Sequence, residues 1–542
     1  KNQESKRIGM AAHQGFNLYE DEQPVNVSTT YRVLDSDIAS VDGYGQVSAE
    51  STGKTYVEIS ARGDDNAEKR MYVHIISLPD DTEVKAENAD EEYIAYPQIS
   101  AGDNFILALR ANGDLYAWGD NTYGQLGLGL GRVGSIDMKP QKLNVTKTVT
   151  EITTGADGED VVTSREVPVK FTKIAAGPDF AMAIDVDGNL YTWGRNNNGQ
   201  IGNGTDTSDF IDEKNPSEVS NKETLVPSPQ MVAYFTDYNV VMQDISAGGS
   251  VGNSYAMALS SNGDVFAWGS NKFKQVENSD NEIVSTPVYV PVSRMTSIAA
   301  GKGDEFTTSY GVQELGKVLA WGSNENSEMG EGVIDSVTGQ AIVSGGGLEN
   351  IRVLEVAAGN GNAAALTENT TNNSYEYYVW GNNDNYQTGI TTNTLPISTP
   401  VKNTDMSQTI DITSGNASMM VQKGTGTVNV IGDNTNGKLA VGNNNSVNEI
   451  VAAKITDGTD FTGVLAAAVS SNGGMSAFIM QDGSIRTVGN NERGQLGDAI
   501  LDNELYPVEV YSGIINVDGV DSNNAVLANA GAAPGRVYLT MN

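Results

Sequence analysis

The sequence predicts an all-β protein: a β-propeller of seven Trp-Gly-type repeats plus a partial eighth, hence seven or eight blades, preceded by a small N-terminal β domain. Three observations carry this. All five tryptophans (Trp118, Trp193, Trp268, Trp321 and Trp380) occupy one register of a repeat, each followed by a glycine: Gly119, Gly194, Gly269, Gly322 and Gly381. Asn-Gly or Asp-Gly pairs separate alternating apolar runs at Asn112-Gly113, Asp187-Gly188, Asn262-Gly263 and Asp482-Gly483. Such pairs tolerate positive φ at a tight turn and are the strongest short hairpin signal. Glycine supplies 60 of 542 residues and charged residues only 19%, a balance that suits turns and strands rather than disorder or coiled coil.

From the N-terminus, residues 24–78 alternate strands with turns and contain no Trp-Gly unit. Asp35-Ser36-Asp37-Ile38-Ala39-Ser40-Val41-Asp42, with Gly45-Gln46-Val47 and Gly53-Lys54-Thr55, resembles the bacterial immunoglobulin-like group 2 domain. That resemblance implies a small β-sandwich, used as a spacer or adhesive module at bacterial surfaces. It is assigned to residues 1–79, its first strand either missing or lying in 8–18. Residues 80–92 are acidic, lack apolar periodicity and read as a linker, leaving 93–542 for the propeller.

The repeats then follow one another. Residues 99–129 read ISAGDNFILALRANGDLYAWGDNTYGQLGLG and residues 174–204 read IAAGPDFAMAIDVDGNLYTWGRNNNGQIGNG. Further copies start at Ile245, Ile298 and Val356, and two decayed copies carry Ile431-Gly432 and Val488-Gly489 in place of Trp-Gly. Successive positions lie from 51 residues apart (Trp380 to Ile431) to 75 (Trp118 to Trp193), room for about four strands each. A lone hairpin is marginal in water, so neighbouring units must bury one another. The pattern (I/V)-(S/A)-A-G, a hairpin, then W-G-x-N-x-x-G-Q-(L/I)-G resembles the regulator-of-chromosome-condensation repeat. Gly124-Gln125-Leu126-Gly127, Gly199-Gln200-Ile201-Gly202 and Gly494-Gln495-Leu496-Gly497 match its most specific part, while Gln275-Val276, Glu328-Met329-Gly330 and Gln387-Thr388-Gly389 keep fragments. Residues 515–539 read as an eighth inner hairpin without its final turn.

Function is constrained mainly by exclusion. Sixty-nine acidic against 33 basic residues give a net charge of −36, which repels phosphate backbones and anionic headgroups, so nucleic acid is not expected as a partner. The family's founding member exchanges guanine nucleotide on a small GTPase and docks on chromatin; the charge here argues against the latter. No apolar run approaches the roughly 18 to 20 residues of a membrane helix, so direct membrane insertion is not expected. Cysteine is absent, which removes disulfides, thiol nucleophiles and the common zinc and iron–sulfur frameworks. The two histidines, His13 and His74, fall outside the repeats, so no Ser-His-Asp triad can sit within them. No catalytic, cofactor-binding or metal-binding residue is expected. Asp185-Val186-Asp187-Gly188-Asn189 has the look of a calcium loop, but position twelve is Asn196 instead of Glu, so the segment reads as a hairpin turn. Surface calcium stays open only as weak binding to the general acidity. The tryptophans read as packing between blades in preference to a carbohydrate platform.

Two long insertions, 130–173 and 205–243, both follow the Gly-Gln-(Leu/Ile)-Gly turn and are expected on one side of the ring, where inserted loops of repeat proteins commonly form a binding surface. A chain starting at Lys1 with no Met reads as a mature form or a fragment. The functional expectation is a non-enzymatic extracellular or bacterial cell-surface adhesion protein presenting these loops to a protein or glycan. The alternatives are a structural subunit of a surface layer, filament or phage tail, which would assemble with itself, and a propeller-based glycan-active enzyme with clustered carboxylates in its central channel.

Overall fold

The computed structural model describes residues 28–62, 68–77 and 95–510 apart from short internal stretches, of which 155–159, 207–223 and 333–339 are the longest, together with strands Lys6–Arg7, Tyr19–Glu20, Gln23–Pro24 and Val537–Met541. Seven four-stranded antiparallel sheets, spanning 98–142, 171–231, 242–290, 295–342, 353–402, 409–452 and 464–509, form blades 1 to 7. Each blade is one contiguous stretch of chain with its strands in sequence order.

Blade 1 shows why the sequence folds this way. Its strands are Gln98–Ala101, Phe105–Leu109, Leu115–Asp120 and Ile136–Lys142. The apolar alternation read in the second strand does not sort core from solvent, because all five of its residues are buried. It sorts neighbours instead. Phe105, Leu107 and Leu109 join a cluster with blade 2, while Ile106 and Ala108 face Ile479 and Leu496 of blade 7. A sheet covered on both sides needs apolar residues on both faces. Only the outermost strand alternates between exposed and buried positions.

Tryptophan marks a bulge. Pairing between the third and fourth strands slips between Ala117 and Gly119, between Thr192 and Gly194, and between Ala267 and Gly269. At Gly119, φ is +106°, and an added Cβ would lie 2.4 Å from the carbonyl oxygen of Asn104. Only glycine accepts both conditions, and the irregularity frees the preceding indole to leave its own sheet and reach the blade before it.

Blade 7 packs directly on blade 1 through the cluster of Ile106, Trp118, Ile479, Ile485 and Leu496. The ring therefore has seven blades, and the partial eighth expected at 515–539 falls almost wholly outside the described residues. Residues 511–536 lie outside those described, and the strand Val537–Met541 pairs antiparallel with Glu68–Ser77, far back in the sequence. That pairing gives an N-terminal sheet in the order Val537–Met541, Glu68–Ser77, Gly53–Arg62, Ser28–Val33. A second small sheet holds Lys6–Arg7, Gln46–Ala49 and Ala39–Val41, and Ala39, Val47, Val57, Ile59, Ala61 and Ile75 form a core between the two.

This N-terminal unit sits on blade 5, whose two middle strands, Asn362–Asn369 and Ser374–Gly381, run eight residues each where other blades use five or six. The added length carries Glu368 and Tyr375. The Tyr375 hydroxyl accepts the backbone N–H of Tyr56 at 3.1 Å and lies 3.3 Å from the Thr55 hydroxyl. Arg32 pairs with Glu368 and, at 2.8 Å, with Glu58. Tyr375→Phe removes one buried partner, at a cost of about 1 kcal/mol. Hydrogen exchange is expected to speed up at 53–62 with no change in the blade strands; unchanged protection there would mean the hydroxyl does not hold the unit down.

Candidate functional site

Alternating strand direction gives the ring two unlike faces. One, the latch face, carries the turns that follow Trp-Gly. The other, the hairpin face, carries the turns between second and third strands and the linkers from each blade to the next.

On the latch face one asparagine organises every turn. The side-chain oxygen of Asn121 accepts the backbone N–H of Leu126 at 3.0 Å, and Asn196, Asn271, Asn324, Asn383, Asn434 and Asn491 do the same for Ile201, Val276, Met329, Thr388, Leu439 and Leu496. The turn so fixed presents a backbone carbonyl to the next blade. Indole Nε1 of Trp118 donates to Gln495 O, Trp193 to Gln125 O, Trp268 to Gln200 O, Trp321 to Gln275 O and Trp380 to Glu328 O, at 2.7 to 3.0 Å. Trp118, Trp193, Trp268 and Trp380 are 0% exposed and Trp321 3%, so no ring presents a face to a ligand. Gly497, at φ +69°, shows how close the latch is, since a Cβ there would stand 2.6 Å from Nε1 of Trp118.

The turns after the first strands meet near the axis on this face. Asn360 donates to the Asn416 side chain at 2.9 Å, Asn416 to Asn472 at 2.8 Å, and the Asn472 backbone N–H to Asp103 at 2.8 Å. Lys302 of blade 4 reaches Val469 O of blade 7 at 3.3 Å. Burial pushes its ammonium down to about 8, against the pull of Asp103. Among the described residues, these axial turns bring together the carboxamides of Asn360, Asn416 and Asn472, the Asp103 carboxylate and the Lys302 ammonium, with a second carboxylate, Asp179, in the turn of blade 2.

The hairpin face is where the described insertions emerge. Strands Thr146–Thr154 and Asp160–Pro168 pair with each other in a two-stranded sheet separate from the blades, a ribbon whose described side chains are largely exposed. Its base closes through Val169 N–H to Val145 O at 2.8 Å. Lys147 pins it to blade 2, donating to Asp185 at 3.1 Å and to Asp187. Burial alone would depress that ammonium, but the bonds to Asp187 and Asp185 outweigh it and hold the group above its ordinary value. A lysine therefore occupies the acidic turn that resembles a calcium loop. Asp185 also accepts the backbone N–H groups of Asp187 and Asn189, both at 2.9 Å, as a hairpin turn requires. The neighbouring linker holds a short helix, Ala233–Asp237, whose Phe235 is buried against Phe266 and Trp268.

The expectation that both insertions share one side is corrected. Strand Ile136–Lys142 crosses blade 1 between the Gly-Gln-Leu-Gly turn and the ribbon and so carries the chain to the hairpin face. Residues 207–223 lie outside those described; the residues on either side of them, at the end of the third strand of blade 2 and the start of its fourth, Leu225–Met231, are at the latch face. Only the end of that segment, the helix, returns to the ribbon's side.

Comparison with known proteins follows the same register. The regulator of chromosome condensation (RCC1) repeat matches at residues 98–125, 171–200 and 244–275 in one form, and at 112–158, 187–251 and 262–303 in another. The chain is 28% identical over 282 residues to the mouse E3 ubiquitin-protein ligase HERC2, covering 52% of this chain and 5% of the relative. It is 28% identical over 243 residues to mouse protein RCC2, covering 42% and 40%. It thus spans well under two thirds of these relatives' length. A crystal structure of Kap60 bound to yeast RCC1 (Prp20) matches with a TM-score of 0.54 at 18% identity, over 78% of this chain and 86% of that one, a likeness of fold alone.

These relatives overturn the extracellular or cell-surface location. HERC2, RCC2 and Prp20 are RCC1-family proteins that are largely intracellular. The expectation leaned on the resemblance of residues 35–55 to a bacterial surface module, whereas the family models match residues 98–303; the absence of cysteine suits a reducing compartment equally. The chain is accordingly a seven-bladed β-propeller in which residues 98–158 and 171–303 match the regulator of chromosome condensation repeat.

Proposed function

We propose that this chain is a non-enzymatic protein-binding scaffold whose partner meets the hairpin face over blades 1 to 3. The observation that carries this is the ribbon 146–168. Among the described strands it forms a sheet of two, with no third strand added at either outer edge, and such edges carry backbone donors and acceptors suited to an added strand. A hairpin of two nine-residue strands, in a sheet separate from the blades and with largely exposed described side chains, buries little for the ring and offers much to a partner. The relatives support a protein as that partner: yeast Prp20 was solved with Kap60, and its binding to Gsp1p and histones has been described. Of the insertions, 130–173 contributes the ribbon and 205–243 the adjoining helix. The N-terminal sheets, read as an Ig-like module, rest on blade 5 through Arg32, Leu34 and Tyr56, away from the ribbon.

The test is excision. Because Val145 and Val169 already hydrogen-bond, residues 146–168 can be replaced by a short Gly-Ser turn without moving the blades. The melting temperature is expected to stay within a few degrees while proteins cross-linked to the intact chain are lost from the shortened one. An identical set of cross-linked partners from both forms would overturn the reading.

A further inference from the structure

Four rings run in a row from the blade 2–blade 3 linker onto the outer strands of blade 3. Tyr238 and Tyr234 lie tilted at 4.9 Å, Tyr234 stands edge-on to Phe266 at 5.9 Å, and Phe266 edge-on to Tyr289 at 6.0 Å. The helix is anchored by Phe235, 2% exposed, so its two tyrosines are not needed to hold it. Tyr238 is 70% exposed and Tyr289 49%. Phe266 is 7% exposed and Tyr234 is partly buried against the core, so these two rings support the row from beneath, while Tyr238 and Tyr289 present exposed rings with polar tips, the residue type enriched at protein interfaces.

The chemistry around the row points to the sign of the partner. The chain carries −36 overall, and Asp187, Asp237 and Asp264 all stand on this face. Cations close by are already engaged: Lys147 by Asp185 and Asp187, Arg294 by Glu314 at 3.9 Å. Tyrosine faces within an acidic field attract guanidinium and ammonium groups, since the ring quadrupole and the carboxylates act in the same direction. The molecule uses the pairing internally, where the Arg195 guanidinium lies 4.5 Å from the ring centre of Tyr123.

We infer that the row Tyr238–Tyr234–Phe266–Tyr289 is a docking strip for a basic segment of a protein partner, Arg or Lys side chains lying over Tyr238 and Tyr289. This deepens the reading of the hairpin face as the binding surface and rests on it. The probe is a synthetic peptide of four arginines spaced by Gly-Ser, with a citrulline peptide as its neutral twin, titrated into the full chain near physiological salt. Tyr238→Ala with Tyr289→Ala is expected to weaken the arginine peptide about tenfold, while the two Tyr→Phe changes, which keep the ring faces, leave it within about twofold. Single Tyr238→Ala, at so exposed a site, serves if the double variant misfolds, and should lose about threefold. Equal affinity of the Ala variants for the arginine peptide would overturn the inference, as would equal binding of the citrulline twin or tighter binding of a proline-rich peptide. Absence of arginine-peptide binding in a chain that still captures partners through its ribbon would sink the strip and spare the scaffold reading.

Discussion

Trp193→Ala is expected to lower the stability of the propeller by about 3–5 kcal/mol, measured as a shift of the chemical denaturation midpoint. The indole is 0% exposed, sits in the cluster shared by blades 1 and 2, and donates to Gln125 O at 2.9 Å. Its removal opens a cavity that rigid strands on either side cannot close, and it strands a buried carbonyl. Trp193→Phe separates the two costs. The smaller ring keeps most of the apolar contact but has no N–H, so a loss nearer 1–2 kcal/mol is expected from the carbonyl and the residual void. Blades 6 and 7 show that the ring tolerates an aliphatic latch, since Ile431 and Val488 hold the same place without a donor. Those blades have co-adapted neighbours; blade 2 does not. A Trp193→Ala chain that unfolded at the same denaturant concentration as the parent would show that blade-to-blade packing at this position is not what holds the ring together.

Much of the ring was legible because the latch repeats in one dimension. A large apolar residue followed by Gly recurs wherever a blade leans on its predecessor, and in five of the seven blades that residue is Trp. The phantom eighth blade came from weighing hairpin alternation above turn chemistry. Alternation occurs in any sheet, including the N-terminal one that residues 537–541 join. The asparagine two places after the Gly is the stricter mark. Asn434 and Asn491 keep it in the blades that lost tryptophan, whereas 515–539 contains no aromatic-or-aliphatic-Gly-x-Asn turn at all. The hydrogen bond it makes closes the turn that carries the latch carbonyl, so it survives where the indole does not.

The face of each insertion was legible too, by parity, and was misread. A chain leaving the third strand of a blade emerges on the latch face and one leaving the fourth emerges opposite, so counting the strand Ile136–Lys142 would have separated the ribbon from the start of the second insertion. The aromatic row is different in kind. Tyr234, Tyr238, Phe266 and Tyr289 come from a linker and two strands, and nothing in their spacing announces that folding brings them together. The only local hint was the apolar density of MVAYFTDYNVV inside a segment otherwise acidic and loop-like.

Glu328→Gln is expected to stabilise the protein above neutral pH and to do nothing in acid. Glu328 stands in blade 4 where Gln125, Gln200, Gln275, Gln387 and Gln495 stand elsewhere, and it is 0% exposed. It makes the same contact as those glutamines, accepting the N–H of Asn326 at 2.8 Å as Gln125 accepts that of Tyr123 at 2.8 Å. What differs is charge. Burial pushes its carboxyl from 4.5 up to about 7, with no cation among the causes to offset it. The folded state therefore holds a proton that the unfolded chain releases near 4.5, and stability from this group is complete below that pH, falls as pH rises to about 7, and is lost above. A shift of this size corresponds to about 3 kcal/mol at pH 8, from roughly 1.4 kcal/mol per pKa unit. Glutamine carries no such penalty, and its amide can donate to Ser323, which replaces the Asp120 that Gln125 reaches at 3.2 Å. Denaturation midpoints for the two chains should coincide at pH 4.5 and diverge through pH 7, with the variant above. Because Trp380 and Tyr310 both donate to the Glu328 carbonyl at 2.7 Å, the gain is expected to appear in blades 4 and 5 first, as slower hydrogen exchange at pH 8. Parallel pH profiles would mean that the carboxyl is hydrated and its burial carries no electrostatic cost.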